Sequence, residues 1–212
     1  MRVRRAKNAH ARLARPTTPR GAATRARIVE AAAGLVYRRG ASATSLEDIM
    51  EASATSKSQL YHYFADKDAL MRAVIEFQTG RVTGGEAVRP EALDSLDGIR
   101  RWRDAVVTMN RAARGVGGCP LGSLVSQLAD RSESARASLA NGFELWESHF
   151  KDGLSAMRDR GELKPEANPA EIATAIIAAL QGGLLLAQTV RSSRPLELAL
   201  DMAIGHVARL ST

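Results

Sequence analysis

Between Thr44 and Lys67 the chain carries two short helical patterns around a tight turn, and this narrows what it can fold into. Thr44 and Glu47 have the spacing of a capping box, in which two side chains satisfy free amides at a helix start. Leu46 and Ile49 then share an inner face. The turn is Ser53-Ala54-Thr55, and Ser56 caps a second helix that reaches about Phe64. Leu60 and Phe64, four residues apart, face the core together. Lys57, Ser58, Gln59, Tyr61, His62 and Tyr63 are left largely outward within seven residues. Such side chains hydrogen-bond phosphates and base edges. On one short helix after a turn they imply a helix-turn-helix reader of double-stranded DNA.

The flanks are helical as well. A helix over about 24–39 sets Ile28, Ala31, Ala32, Leu35 and Val36 on one face and stops where Arg38-Arg39 meet Gly40. Another opens at Asp66, with Leu70, Val74 and Phe77 inward. Residues 80–92 hold three glycines and one proline and read as a hinge between domains. Helical patterns then cover about 93–114, 121–130, 133–160, 169–191 and 195–210. Pro169 and Pro195 mark the starts of the last two. No strand alternation of useful length occurs, so the expected fold class is all-α.

Charge is distributed unevenly. The net charge is +7, and the seven basic residues of 1–20 (Arg2, Arg4, Arg5, Lys7, Arg12, Arg15, Arg20) account for all of it. A basic, acid-free arm points to a polyanion, either nucleic acid or an anionic membrane surface. A transit peptide has the same composition, but this arm runs straight into the DNA-reading pattern. Pro16 and Pro19 mark residues 1–20 as a disordered arm. Either it contacts DNA beside the head or it stays solvated.

The lone Cys119 excludes an intrachain disulfide and two-cysteine metal motifs, and it suits the reducing cytoplasm. The uncharged run Ile172–Val190 is nearly as long as the roughly 20 residues that span a bilayer. It contains Thr174, Gln181, Gln188, Thr189 and Gly182-Gly183, so it reads as a helix buried by its neighbours and a second subunit, with no membrane partner. There is no Ser/His/Asp spacing and no phosphate-cradling glycine loop. The four histidines, His10, His62, His149 and His206, are scattered. Neither an enzyme, a metal site nor a cofactor is expected.

The N-terminal residues resemble the TetR/AcrR family of transcriptional repressors. The likeness rests on Thr24, Ile28-Val29, Ala31-Ala32, Gly40, Thr44-x-Leu46-x-Asp48-Ile49 and Ser56-Lys57-x-x-Leu60-Tyr61-x-x-Phe64-x-x-Lys67-x-x-Leu70. Residues 113–124, with Gly118-Cys119-Pro120-Leu121-Gly122, resemble the C-terminal domain of the LmrA/YxaF-type subgroup. The resemblance implies a cytoplasmic homodimer whose heads bind a palindromic operator and let go when a small molecule enters the C-terminal domain. Residues 21–75 would be the DNA-binding head and 76–212 the effector-binding and dimerisation domain. The family commonly has glycine where this chain has Ala54 and Ser58.

By resemblance, Lys57, Ser58, Gln59, Tyr61, His62 and Tyr63 face DNA and Lys67 holds a phosphate; Thr44, at a helix N-terminus, suits another, because free amides and the helix dipole favour an anion there. Gln59 suits adenine and Lys57 suits guanine, whereas Tyr61 and His62 suit the backbone. Tyr63 could do either, or touch a thymine methyl. In the C-terminal helices, Trp102, Val106, Met109, Leu124, Leu128, Phe143 and Trp146 give an apolar lining, with Asn110 and Gln181 as polar points. Such a mixture suits a neutral or weakly polar ligand. Helices 172–190 and 195–210 are the expected dimer interface.

Overall fold

The computed structural model describes residues 18–85 and 88–212. Among them are nine α-helices: α1 (Pro19–Arg39), α2 (Leu46–Ser53), α3 (Lys57–Tyr63), α4 (Lys67–Thr83), α5 (Leu96–Ala112), α6 (Gly122–Leu128), α7 (Glu133–Asp159), α8 (Pro169–Val190) and α9 (Arg194–Leu210). A 3-10 turn, Pro90–Ala92, leads into α5. The chain is all-α, with an N-terminal helix-turn-helix head and a C-terminal helical domain.

The first two helices start elsewhere than expected. The hydroxyl of Thr18 accepts from the Gly21 amide and Pro19 holds the first helical position, so α1 begins five residues before Thr24. Of the arm expected over 1–20, residues 1–17 lie outside the described residues, and Pro19 and Arg20 belong to α1. The cap of α2 is Ser45, not Thr44. Ser45 Oγ accepts from the Asp48 amide at 3.0 Å, and Asp48 Oδ2 accepts from the Ser45 amide at 2.9 Å. The capping box therefore lies one residue later than the Thr44/Glu47 spacing suggests, because Asp48 also fills the third position.

The head closes on Ile28 and Val36 of α1, Ile49 of α2, Leu60 and Phe64 around α3, and Leu70 and Val74 of α4, all buried. α4 then continues without a break through Gly80 to Thr83, so residues 80–83 of the expected hinge are helix and the boundary near 75 falls inside α4. The reason is tertiary. Gln78, Thr79 and Thr83 are buried where α4 packs on α7, and such packing overrides one helix-weakening glycine. α7 makes room with Gly142, where an added Cβ would lie 2.5 Å from Thr79 Oγ1.

The C-terminal domain is built on α7, α8 and α9. Trp102 of α5 meets Phe150 of α7 edge-to-face, with ring centroids 4.8 Å apart. α8 and α9 form a tight antiparallel pair, and Gly183 allows it: a Cβ there would lie 2.8 Å from Leu196 Cα. α5 is tied to α9 through Glu197, whose carboxylate accepts from Arg111 Nη2 at 2.8 Å and Ser193 Oγ at 2.6 Å. The Ser193 and Arg111 hydrogen bonds hold that carboxyl below the usual carboxylate range.

Candidate functional site

The outward face of α3 presents Lys57, Ser58, Gln59, Tyr61 and His62, all exposed, while Tyr63 is half-buried against the core. His62 and Tyr63 meet edge-on at 4.8 Å. This is the face expected from the spacing of Leu60 and Phe64. Gln59 has a local role as well. Its Oε1 accepts from the Ser56 amide at 2.9 Å, completing a capping box with Ser56. Ser58 Oγ lies 3.0 Å from Ser56 Oγ, so the residue replacing the family's glycine extends the cap.

Two expected phosphate contacts have other partners. Thr44 is buried, and its hydroxyl donates to the Gly40 carbonyl at 2.8 Å. Lys67 is half-buried, and its Nζ donates to the carbonyls of Ala41 and Thr44 at 2.8 and 2.6 Å. Thr44 and Lys67 therefore fasten the α1–α2 connection to the start of α4. The motif spacing locates both residues, but it does not show that the connection's carbonyls turn inward.

The turn keeps the left-handed geometry despite lacking glycine: Ala54 has φ 49° and ψ 49°. The Thr55 amide donates to the Met50 carbonyl at 3.0 Å and Arg27 Nε to the Ser53 carbonyl at 3.0 Å, which pin the turn from both sides. Ala54→Gly is expected to raise stability by about 0.5–1 kcal/mol, the relief of left-handed alanine less the entropy glycine adds to the unfolded chain. Denaturant melts would check this, and a lower midpoint would contradict it.

A cavity of about 540 Å³ lies between the head and the C-terminal helices. Of the expected ligand residues, Trp102, Val106, Met109, Asn110 and Trp146 line it. Leu124, Leu128, Phe143 and Gln181 do not. Leu124 is buried in the core, and Leu128 and Phe143 pack against it. Gln181 faces the start of α6, where a Cβ on Gly122 would lie 2.3 Å from its Oε1. A helical stripe shows which side chains are inward, not which of them border a void. The spacing also misses Tyr37 of α1, Arg81 of α4, the segment from Gly118 to Pro120, and Leu180 and Leu184 of α8. The glycine-rich break at 115–118 was the available signal for that segment. Cys119 is buried, and burial pushes its thiol up, so it stays protonated.

The head meets this cavity through side chains. Tyr37 leans over the 115–120 segment: a Cβ on Gly117, which has φ +97°, would lie 2.0 Å from Tyr37 Oη. Burial and nearby Cys119 raise the Tyr37 pKa, so its phenol keeps its proton. Gln127 of α6 accepts from the Ala41 amide at 2.6 Å and donates to the Ser123 carbonyl at 2.7 Å. Arg131 donates to Ser42 Oγ at 2.8 Å. The cavity wall, α6 and the α1–α2 connection are thus joined.

The outer face of α8 and α9 is apolar and exposed. Leu185 is 65% exposed and Met202 72%, and Leu186, Val190 and Leu198 lie on the same two helices. α8 is the one helix among the described residues long and apolar enough to cross a membrane, and its inner face packs on α7 and α9. Gly182-Gly183 divide between two surfaces. Gly183 serves the α8–α9 contact, while a Cβ on Gly182 would meet nothing within 4 Å.

The comparisons with known proteins agree with this arrangement. Residues 28–74 match the family described as bacterial regulatory proteins, tetR family, and residues 95–203 match the tetracyclin repressor-like C-terminal domain. The chain is 31% identical to an HTH-type transcriptional regulator in the lacX 3' region of Lactococcus lactis, over 84% of this chain and 90% of that one. It is 28% identical to the HTH-type transcriptional regulator YxaF of Bacillus subtilis, over 82% and 89%. A TetR transcriptional regulator from Chloroflexus aurantiacus superposes with a TM-score of 0.76 at 25% identity, covering 92% of this chain and 98% of that one. A helix-turn-helix head, a helical domain behind it and matches to both parts lead to one conclusion: the chain belongs to the TetR/AcrR family of helix-turn-helix transcriptional regulators.

Proposed function

We propose that the protein is a cytoplasmic homodimeric repressor, bound to a palindromic operator through paired α3 helices and released by a small, largely apolar ligand. The observation that carries the reading is Tyr37, which belongs both to α1 of the head and to the wall of the cavity. A ligand that displaces Tyr37 or the 117–120 segment shifts α1 and α6 together, because Gln127 ties α6 to Ala41. Residues 21–75 bind DNA and 76–212 bind effector and partner, with α4 shared between them. A second copy covers the exposed α8 and α9 faces, and two-fold symmetry then sets two α3 helices on two half-sites.

On DNA, Lys57 and Gln59 read bases, and Ser58, Tyr61 and His62 hold the backbone. Tyr63, half-buried, reaches with its hydroxyl end only. Gln59 exchanges its bond to the Ser56 amide for one to an adenine edge. Selection of bound sites from random DNA with purified protein should return an inverted repeat. Gln59→Ala should cost about 1–3 kcal/mol on that site and relax one position in each half. Equal losses on selected and random DNA would remove Gln59 from the reading set. An unstructured consensus would overturn the palindromic operator.

A further inference from the structure

The walls of the cavity contain two buried polar atoms for which no group among the described residues provides a partner. Trp146 Nε1 of α7 and Asn110 Oδ1 of α5 are both buried and without a hydrogen bond. Their residues are 5% and 7% exposed, and both border the cavity. A buried donor and a buried acceptor left unpaired are costly, and native interiors rarely keep them without a reason. The two complement each other: one needs an acceptor and the other a donor. Around them the lining is aromatic or aliphatic, from Trp102, Val106 and Leu184. Arg81 is the one charged side chain in the described walls, and it is exposed.

We infer that the cavity takes an uncharged, flat, largely apolar molecule with a carbonyl-type acceptor for the Trp146 indole N–H and an N–H or O–H donor for Asn110 Oδ1. This rests on the effector-binding reading above and specifies the class of effector. An anion fits less well. The inner wall would desolvate it without a cation, and the phenol of Tyr37 keeps its proton rather than supplying a charge. A pure hydrocarbon gains the apolar contacts but leaves both polar atoms unpaired.

Three probes of one shape separate these cases: 2-naphthamide, 2-naphthoate and 2-methylnaphthalene, each titrated calorimetrically into the full-length protein. Naphthamide should bind roughly tenfold tighter than either of the others, the worth of a buried hydrogen-bond pair made good. Trp146→Phe and Asn110→Leu should each remove most of the advantage of naphthamide over methylnaphthalene, read as the ratio of the two affinities within each variant. Tightest binding of naphthoate would overturn the inference, as would equal losses for all three probes or no binding by any. The effector reading is tested separately. If methylnaphthalene binds as tightly as naphthamide and releases the selected operator, release by an apolar ligand stands and the polar pair is excluded from recognition.

Discussion

Leu185→Glu is expected to convert the protein to a monomer and to weaken operator binding by about 10²–10⁴-fold, the gain that linking two sites confers. Leu185 is 65% exposed on α8. In a two-fold interface the same residue occurs twice near the axis, so one substitution buries two carboxylates in an apolar contact. The monomer itself should fold, because the substituted side chain stays in water. Sedimentation together with a thermal melt separates these effects: halved mass with an unchanged melt supports the α8–α9 face. An unchanged dimer would put the interface elsewhere. Exposed glycine, alanine and leucine on α8, with Leu198 and Met202 on α9, form the kind of continuous apolar patch that monomers seldom leave uncovered.

Lys67→Met should lower the stability of the head by about 1–3 kcal/mol, because two inward carbonyls, of Ala41 and Thr44, lose the ammonium that donates to both. For a chain of this size the melting temperature would fall by roughly 2–12 °C. A lysine in the first turn of a helix works against the helix dipole, so its presence at the start of α4 needs such a reason. The salt dependence of DNA binding should keep its slope, since the charge is spent within the protein. A slope smaller by about one with an unchanged melt would instead identify a phosphate contact.

The helix order was legible because apolar residues recur at helical spacing in every segment, with proline and glycine marking the ends. The α3 face was legible for the same reason, since Leu60 and Phe64 define its inside. Thr44 and Lys67 were not, because a motif fixes residue type and spacing but not whether a side chain turns out to phosphate or in to a carbonyl. The cavity was legible only in part. Trp102, Asn110 and Trp146 lie on periodic helices, whereas Tyr37 comes from 65 residues before Trp102 and reaches the cavity only through tertiary packing. Gln181 looked like a polar point in an apolar pocket and instead sits against the start of α6. Helical phase places a residue around its own axis and is silent about which neighbour stands opposite.

The continuity of α4 has a practical consequence for hybrid regulators. A graft spliced at residue 75 would cut through a helix whose first half buries Leu70 and Val74 against the head and whose second half seats Thr79 against Gly142 of α7. A recipient with any larger residue at the Gly142 position would push the transplanted helix off its seat and tilt the grafted head with it. Interchangeable heads therefore have to travel with the whole of Lys67–Thr83 and land on a recipient that keeps the same small residue. In this architecture the exchangeable part ends where a helix ends, at Thr83 rather than at residue 75.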